Sequence, residues 1–391
     1  MLYCHMTTTS TPEIAATATA ARRPHLWQID LVRIAPMLGM ASTHVVLYTV
    51  PVDSALGGAA LMFLHVSREI FLFVSAFILF YTTEAYENHV APFRFWRRRM
   101  PWIVIPYVVW TLIYWPLSGD VSEGWTHSLT QLGINLSQGW FHLYFLLLTM
   151  QLYLVFPLLA WFLRRTRRHH VALLVGSVAV QVAATWAMQY RWPPLPWPVM
   201  FWMEGAQNEL SSYQLYVLAG ALAAIHFSRC LSLIRRHPRA TLALVAAGLV
   251  AGEAWYLVNL GLGQTPAEAS NVFQPALVTL VLGSVVGLWL LAERWLLRYP
   301  LDGPVWRTLR MAADASFGFY LAHMVTLLLI TREPLLSILP TDKLPVMQAT
   351  VSRLAIVIVG TVALVWLIRK TPLSRVLTGR PGTAPRTSLG A

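Results

Sequence analysis

Uninterrupted apolar stretches of about 20 residues recur along the whole chain and constrain its fold more than any other feature. A helix of that length rises about 30 Å, which matches the hydrocarbon layer of a bilayer. Barrel strands would instead alternate apolar and polar residues with a period of two. The sequence therefore predicts an all-α, polytopic transmembrane helical bundle. We predict ten spans, at 29–49, 61–83, 101–118, 140–162, 171–190, 211–228, 240–260, 273–292, 312–331 and 347–368.

Basic residues divide the connections between these spans into two alternating sets. Clusters lie at residues 22–23, 94–99, 164–168, 229–239 and 294–310 and in the C-terminal tail. The connections between them hold only Arg191, Arg332 and Lys343. The positive-inside rule then predicts that both termini and the basic loops are cytoplasmic. The same rule explains the net charge of +12, so we expect the lipid bilayer and no nucleic acid as a partner.

The two ends of the chain lack an apolar core. Residues 1–24 and 371–391 are therefore predicted to be disordered cytoplasmic tails that flank one transmembrane domain at 25–370. Cys4 and Cys230 both fall on the predicted cytoplasmic side, so neither a disulfide framework nor a cysteine-based metal site is expected. No P-loop or dinucleotide-binding turn is found, and no metal is predicted. We expect a multi-pass protein of the plasma membrane.

Ionisable residues inside the spans are the first candidates for function, because a charge at helix-centre depth costs about 2.5–3.5 kcal/mol. His44 follows Arg33 by almost three helical turns, so the two side chains point the same way with a rise of about 16 Å between them. Asp30 lies one turn before Arg33 and could pair with it. A guanidinium suits phosphate or carbonyl oxygens, and a neutral imidazole accepts a proton. Alternatively, Arg33 only extends to the helix end and His44 only bonds a neighbouring helix.

Six short motifs follow one another along about residues 28–330. They are Arg33-x10-His44, Glu69 to Phe77, the pair Phe95 to Arg99 with Ile103 to Tyr107, Trp140 to Phe145, Tyr153 to Pro157, and Ser316 to His323. In this order they resemble the motifs of the acyltransferase 3 family of integral membrane acyltransferases. Leu72, Ala76 and Trp102 depart from the family pattern, which usually has an aromatic residue, a glycine and an arginine there.

The resemblance implies an O-acyltransferase that moves an acyl group, commonly acetyl, from cytoplasmic acetyl-CoA. The acceptor would be a hydroxyl of a carbohydrate, a glycolipid or a secondary metabolite such as a macrolide. His44 would be the base that deprotonates this hydroxyl, although a covalent acyl-histidine stays open because imidazole is also a nucleophile. Arg33 would hold the pantetheine arm or the thioester carbonyl. The coenzyme phosphates would bind Arg94 and Arg97, with Arg98 and Arg99 as further candidates.

Other polar residues of the motifs are interpreted as acceptor-binding or supporting groups. These are Asp30, Glu69, Ser75, His142, Tyr320 and His323. Glu69 is expected to pair with the adjacent Arg68, and Arg353 and Glu253 could be partners across the bundle. The aromatic loop Trp192 to Pro198 and the following Glu204 could meet an acceptor, or the tryptophans could belong to an interfacial belt.

A different class of function also fits buried Arg, Glu and His residues. A secondary transporter or exporter would use them as a path for a substrate or for protons. Such proteins often consist of two related halves with broken helices at corresponding positions, and this chain has no such symmetry.

Overall fold

The computed structural model describes residues 24–83, 86, 89–117, 124–190, 205–301, 303–332, 335–339 and 341–382. Within these residues the chain is helical and contains no strand. The helices of the first half are α1 (Trp27–Thr49), α2 (Ala55–Leu64), α3 (Val66–Thr83), α4 (Pro92–Arg99), α5 (Pro101–Tyr114), α6 (Trp125–Gln138), α7 (Tyr144–Arg165) and α8 (His170–Tyr190). Those of the second half are α9 (Gln214–Ile225), α10 (Phe227–Arg236), α11 (Pro238–Gly261), α12 (Pro266–Ala269), α13 (Leu277–Arg298), α14 (Pro304–Ile330), α15 (Leu335–Ile338), α16 (Val346–Ile368) and α17 (Ser374–Thr378).

Local sequence signals determine where several of these helices begin and end. Proline, which lacks the amide hydrogen that a first turn leaves unpaired, starts α4, α5, α11 and α14. The Ser54 hydroxyl accepts a hydrogen bond of 3.1 Å from the Gly57 amide and so caps α2. Gly379, in the left-handed region with φ of +64°, ends α17. These signals account for where the helices begin and end.

Eight helices of the described chain are long and apolar enough to cross a membrane. They are Trp27–Thr49, Ala55–Thr83, Tyr144–Arg165, Arg167–Tyr190, Pro238–Gly261, Leu277–Arg298, Pro304–Ile330 and Val346–Ile368. The predicted spans at 101–118 and 211–228 take other forms. Helix α5 has 14 residues and rises about 21 Å. Helices α9 and α10 belong to a pair bent by 88°, which would make a ninth span if the pair is counted as one.

The predicted disorder of the C-terminal tail is wrong for its first part. Residues 374–378 form α17, whose Leu377 carbonyl accepts a hydrogen bond of 2.9 Å from the Trp110 indole. Ser374 and Thr378 are buried, and their hydroxyl groups are hydrogen-bonded. The segment is therefore ordered by polar contacts although it contains few apolar residues. Residues 1–23 and 383–391, the remaining parts of the predicted tails, lie outside the described residues, as do the Trp192 to Pro198 loop and Glu204.

Small residues allow the helices of the bundle to approach closely. A Cβ atom added at Gly220 of α9 would overlap the backbone carbonyl of Phe73 in α3. A Cβ at Gly248 of α11 would lie 2.7 Å from the Thr279 carbonyl of α13. Contacts of this kind replace the hydrophobic effect as the force between helices in lipid. Helix α1 lies at the centre of the arrangement and contacts α3, α13, α14 and α16.

The contact between α3 and α9 leads to a stability prediction. Gly220→Ala should lower the free energy of unfolding by about 1–3 kcal/mol, because the new methyl group meets backbone that cannot rotate away. Gly176→Ala is the matched control, since nothing lies within 4 Å of a Cβ at that position. The control should leave stability unchanged or raise it slightly, because alanine favours a helix. Thermal unfolding of both proteins in one detergent checks this, and equal midpoints would contradict the close packing.

Candidate active site

Arg33 and His44 both face α14 from the same side of α1. An Arg33 guanidinium nitrogen donates a hydrogen bond of 3.2 Å to the Ser316 hydroxyl. About two turns further along α14, the Nε2 atom of His323 lies 3.3 Å from Nδ1 of His44. The helical phase read from the sequence therefore places both side chains inside the bundle, and neither points into the surrounding lipid.

The two histidines form a relay whose hydrogen positions follow from one backbone carbonyl. The Nδ1 atom of His323 lies 2.6 Å from the Tyr320 carbonyl oxygen, which can only accept, so Nδ1 carries the hydrogen. In a neutral ring Nε2 then accepts, and Nδ1 of His44 is the donor to it. The lone pair of His44 is consequently on Nε2. Among the described residues no hydrogen bond to this nitrogen is found, and the His44 side chain is half-buried.

His142 completes a group of three imidazoles. Its ring centroid lies 4.9 Å from that of His323 and 6.0 Å from that of His44. The side chain is 2% exposed, and neither ring nitrogen has hydrogen-bond geometry with a described residue. A buried polar group without a partner is costly, so this position favours a ligand or water that completes it.

A strained turn holds His142 against the other two histidines. Gly139 has φ of +84°, and the backbone of Tyr144 leaves no room for a Cβ there. Phe141 has φ of +43°, a region that residues with side chains rarely adopt. The Tyr320 hydroxyl donates to the His142 carbonyl and fixes the turn from α14. Phe141 is partly exposed, with its ring centroid 4.7 Å from that of His44, and so borders the open side of the imidazole.

A cavity of about 340 Å³ lies on the Arg33 side of this histidine group. Three arginines, Arg33, Arg99 and Arg380, contribute to its lining. Uncharged polar groups from Ser75, Tyr153, Ser316 and Tyr320 line it as well. Tyr320 belongs both to the cavity wall and to the turn that carries His142. The cavity and the histidine group are therefore neighbours that share Tyr320.

The structure selects among the arginines of the basic loop. Phe95 anchors α4 by packing against α7, with its ring centroid 4.8 Å from that of Phe156. Arg99 lies one turn after Phe95 and reaches the cavity. Arg94, Arg97 and Arg98 are exposed on α4 and do not line it. The structure thus places Arg99, one of the two further candidates, in the cavity wall, and the preferred pair Arg94 and Arg97 outside it.

Arg380 is a site residue that the sequence analysis missed. It follows α17 and the left-handed Gly379, and it is 3.5 Å from Asp314 of α14. The segment was interpreted as a tail because it is short and polar. The glycine after a short helical segment was the one signal for an ordered turn there.

Neither of two ion pairs that the sequence allowed, Asp30 with Arg33 and Arg353 with Glu253, forms in the described structure. Asp30 Oδ2 bonds His25 Nε2 at 2.6 Å, while Arg33 bonds Ser316. Asp30 lies near the start of α1, where it meets His25, a residue before the predicted span.

Arg353 does not pair with Glu253. Its guanidinium donates to the Thr341 hydroxyl at 2.8 Å, and to the Tyr48 carbonyl at 3.2 Å. Neutral acceptors at the end of α1 thus satisfy this buried cation, and Glu253 is without an ion-pair partner among the described residues.

Arg68 and Glu69 form the buried pair expected from their adjacency. The Arg68 Nη2 to Glu69 Oε1 distance is 2.6 Å, and Arg68 also donates to the Tyr144 hydroxyl at 3.2 Å. The Tyr213 ring lies 4.6 Å from the guanidinium carbon. Because Tyr144 follows His142 by two residues, this pair braces the helix that the histidine turn leads into.

No group of three or more His, Cys, Asp or Glu residues in the described part of the chain could hold a metal ion. The three imidazoles of the site therefore do not have the arrangement of metal ligands. Their chemistry is that of hydrogen-bond donors and acceptors.

A comparison with protein families connects this geometry with a known class of proteins. Residues 26–370 match a family model described as "Acyltransferase domain". The match covers most of the chain and includes every helix that contributes to the histidine group. Comparisons with curated proteins and with solved structures gave no significant match.

The cavity leads to a prediction about anion binding. Arg99→Gln should weaken the binding of coenzyme A, used as a polyphosphorylated probe, by about tenfold or more, since a hydrogen bond to a charged group contributes about 1.5–3 kcal/mol. Arg97→Gln removes an equal charge from the same helix outside the cavity and should change the affinity by less than about twofold. Titration calorimetry on the purified proteins measures both. A larger loss with Arg97→Gln would contradict the assignment of the cavity.

Proposed function

This chain belongs to the acyltransferase domain family, and on that premise we propose that it is a membrane-bound O-acyltransferase. The proposed reaction moves an acetyl group from cytoplasmic acetyl-CoA to a hydroxyl of a carbohydrate, a glycolipid or a secondary metabolite. His44 is the proposed general base. The observation that carries this proposal is the hydrogen-bonded relay from the Tyr320 carbonyl through His323 to His44.

The orientation of the protein follows from its charge. The basic loops and both ends of the chain lie at the cytoplasmic face of the plasma membrane in this proposal, by the positive-inside rule. Arg33, near the start of α1, and Arg99, at the end of the basic helix α4, belong to that face. A donor from the cytoplasm therefore meets the arginine-lined cavity first.

The donor is proposed to bind in the cavity of about 340 Å³. Arg99 and Arg380 would bind coenzyme phosphates, because guanidinium groups form paired hydrogen bonds with phosphate oxygens. Arg33 lies deeper along α1 and is held by Ser316, which suits contact with the pantetheine arm or the thioester carbonyl. Tyr320, which lines the cavity and holds the His142 turn, would border the route of the thioester to His44.

The relay supports a specific proton path. The acceptor hydroxyl gives its proton to His44 Nε2, and its oxygen forms a bond to the thioester carbon. When the tetrahedral intermediate collapses, the carbon–sulfur bond breaks and the coenzyme thiolate takes that proton from His44. His323 holds the His44 ring in the tautomer that leaves Nε2 unprotonated at the start, as the third member of a catalytic triad does.

The acceptor is proposed to enter from the face opposite the basic loops. Phe141 is exposed beside the free edge of His44, and neither ring nitrogen of the adjacent His142 has a hydrogen-bond partner among the described residues. A sugar or macrolide hydroxyl can hydrogen-bond to His142 while it presents its proton to His44. If only the acceptor forms hydrogen bonds with the ring nitrogens of His142, a ligand without the hydroxyl leaves them unpaired and binds much more weakly.

The first kinetic prediction concerns the base. His44→Ala should lower kcat by about 10²–10⁴-fold with little effect on the affinity for coenzyme A, because a general base acts in the transition state. His65→Gln is the matched control: His65 is a half-buried imidazole that bonds the Ser270 carbonyl and has no hydrogen bond to His44, His323 or His142 among the described residues. It should retain kcat within about twofold.

The second kinetic prediction distinguishes a role of His323 in positioning His44 from a purely structural role. His323→Leu removes the acceptor for His44 Nδ1 and should lower kcat by about 10–100-fold, whereas His323→Gln keeps an acceptor oxygen and should recover part of that loss. The measurement is transfer of labelled acetyl from acetyl-CoA to acceptor lipids and glycans in membranes. Normal acylation by His44→Ala would contradict the proposal, and proton-coupled uptake of a solute without any acyl donor would support a transporter instead.

A further inference from the structure

A second, larger cavity lies on the far side of α1 from the histidines. Its volume is about 660 Å³, and α1, α2, α3, α11 and α13 form its walls. Ala35, Pro36 and Gly39 are the α1 residues that line it. By helical phase Ala35 and Gly39 point away from the face that carries Arg33 and His44, and Pro36 lies between these two directions. No residue lines both this cavity and the arginine-lined one, so the two cavities are separate.

Small residues make this cavity a deep groove. Gly283 and Gly287 lie one turn apart on α13, where a side chain would otherwise fill the space beside α11. Gly39 on α1 packs so closely against Ser67 of α3 that a Cβ atom would overlap the hydroxyl. Three leucines of the walls, Leu242, Leu291 and Leu297, are exposed, so the groove opens towards the surrounding bilayer.

The length of the groove corresponds to one leaflet. Its lining on α13 extends from Gly283 to Leu297, which is a rise of about 21 Å. Half of the hydrocarbon layer is about 15 Å thick. The groove therefore accommodates a lipid tail from the headgroup level to beyond the bilayer centre.

Charge is confined to one end of the groove. Arg239 and Arg294 line its end near the basic loops. The neighbouring Glu293 is already neutralised by Arg235, with an N–O distance of 2.7 Å. Two cations are thus left uncompensated by ion pairs among the described residues, and the rest of the lining is almost entirely apolar.

We propose that this groove binds one membrane lipid with an anionic phosphate headgroup, taken from the leaflet on the side of the basic loops. The phosphate contacts Arg239 and Arg294, and a tail lies along the glycines of α13. A headgroup that also carries a quaternary ammonium is disfavoured, because the arginine pair repels it. The bound lipid fills the space behind α1 and so steadies the helix that presents Arg33 and His44 on its other face.

The test measures lipid binding to the full chain in detergent, with phosphatidylglycerol and phosphatidylcholine of identical tails as probes. Phosphatidylglycerol should raise the unfolding midpoint by roughly 3 °C or more at saturation, and phosphatidylcholine should not. The variant Arg239→Gln/Arg294→Gln should lose this increment and bind phosphatidylglycerol at least about tenfold more weakly by native mass spectrometry. Arg236→Gln removes an exposed charge nearby that does not line the groove and should behave as the wild type.

Equal stabilisation by the two lipids, or undiminished phosphatidylglycerol binding by the double variant, would overturn the inference. If the double variant does not fold, the salt dependence of lipid binding by the wild type tests the proposal. Its preference for phosphatidylglycerol should fall as salt is raised, since the contacts are between charges. A preference that is independent of salt would also overturn it. Because no acyl transfer is measured, the result is independent of the proposed reaction.

Discussion

A bilayer offers no hydrogen-bond partner to a side chain, so each polar group buried in this bundle depends on another part of the protein. The contact between α1 and α14 meets this requirement twice, through Arg33 with Ser316 and through His44 with His323. The carbonyl of Tyr320 then fixes which nitrogen of each ring carries a hydrogen. The hydrogen bonds that the lipid surroundings require therefore also leave a lone pair on Nε2 of His44.

The two faces of α1 have different roles because their residues differ in size and polarity. One face carries the guanidinium and the imidazole, which meet polar atoms of α14. Another face carries Ala35 and Gly39, which with Pro36 border a groove beside α13. Since both faces belong to one helix, material that fills the groove contacts the helix that carries Arg33 and His44.

The features that the sequence predicted correctly are those that depend on the regular geometry of a helix. Runs of apolar residues gave the all-helical bundle, and the spacing of Arg33 and His44 gave their common face, because helix geometry alone determines both. Features that depend on tertiary contacts were not predictable in this way. Arg353 found hydroxyl and carbonyl acceptors in place of Glu253, and Arg380 entered the cavity through a short helix that composition alone describes as a tail. The choice of Arg99 over Arg97 follows from the side of α4 on which Phe95 is buried, which the folded chain decides.

The tautomer of His44 tests the account most directly. Solid-state NMR of protein labelled with ¹⁵N-histidine reports the protonation of each ring nitrogen, and the His44 signals are those that disappear in His44→Gln. The relay predicts a protonated Nδ1 and an unprotonated Nε2 in the resting protein. A hydrogen on Nε2 with a bare Nδ1 would contradict the account, because the nitrogen that faces the acceptor could then not take its proton.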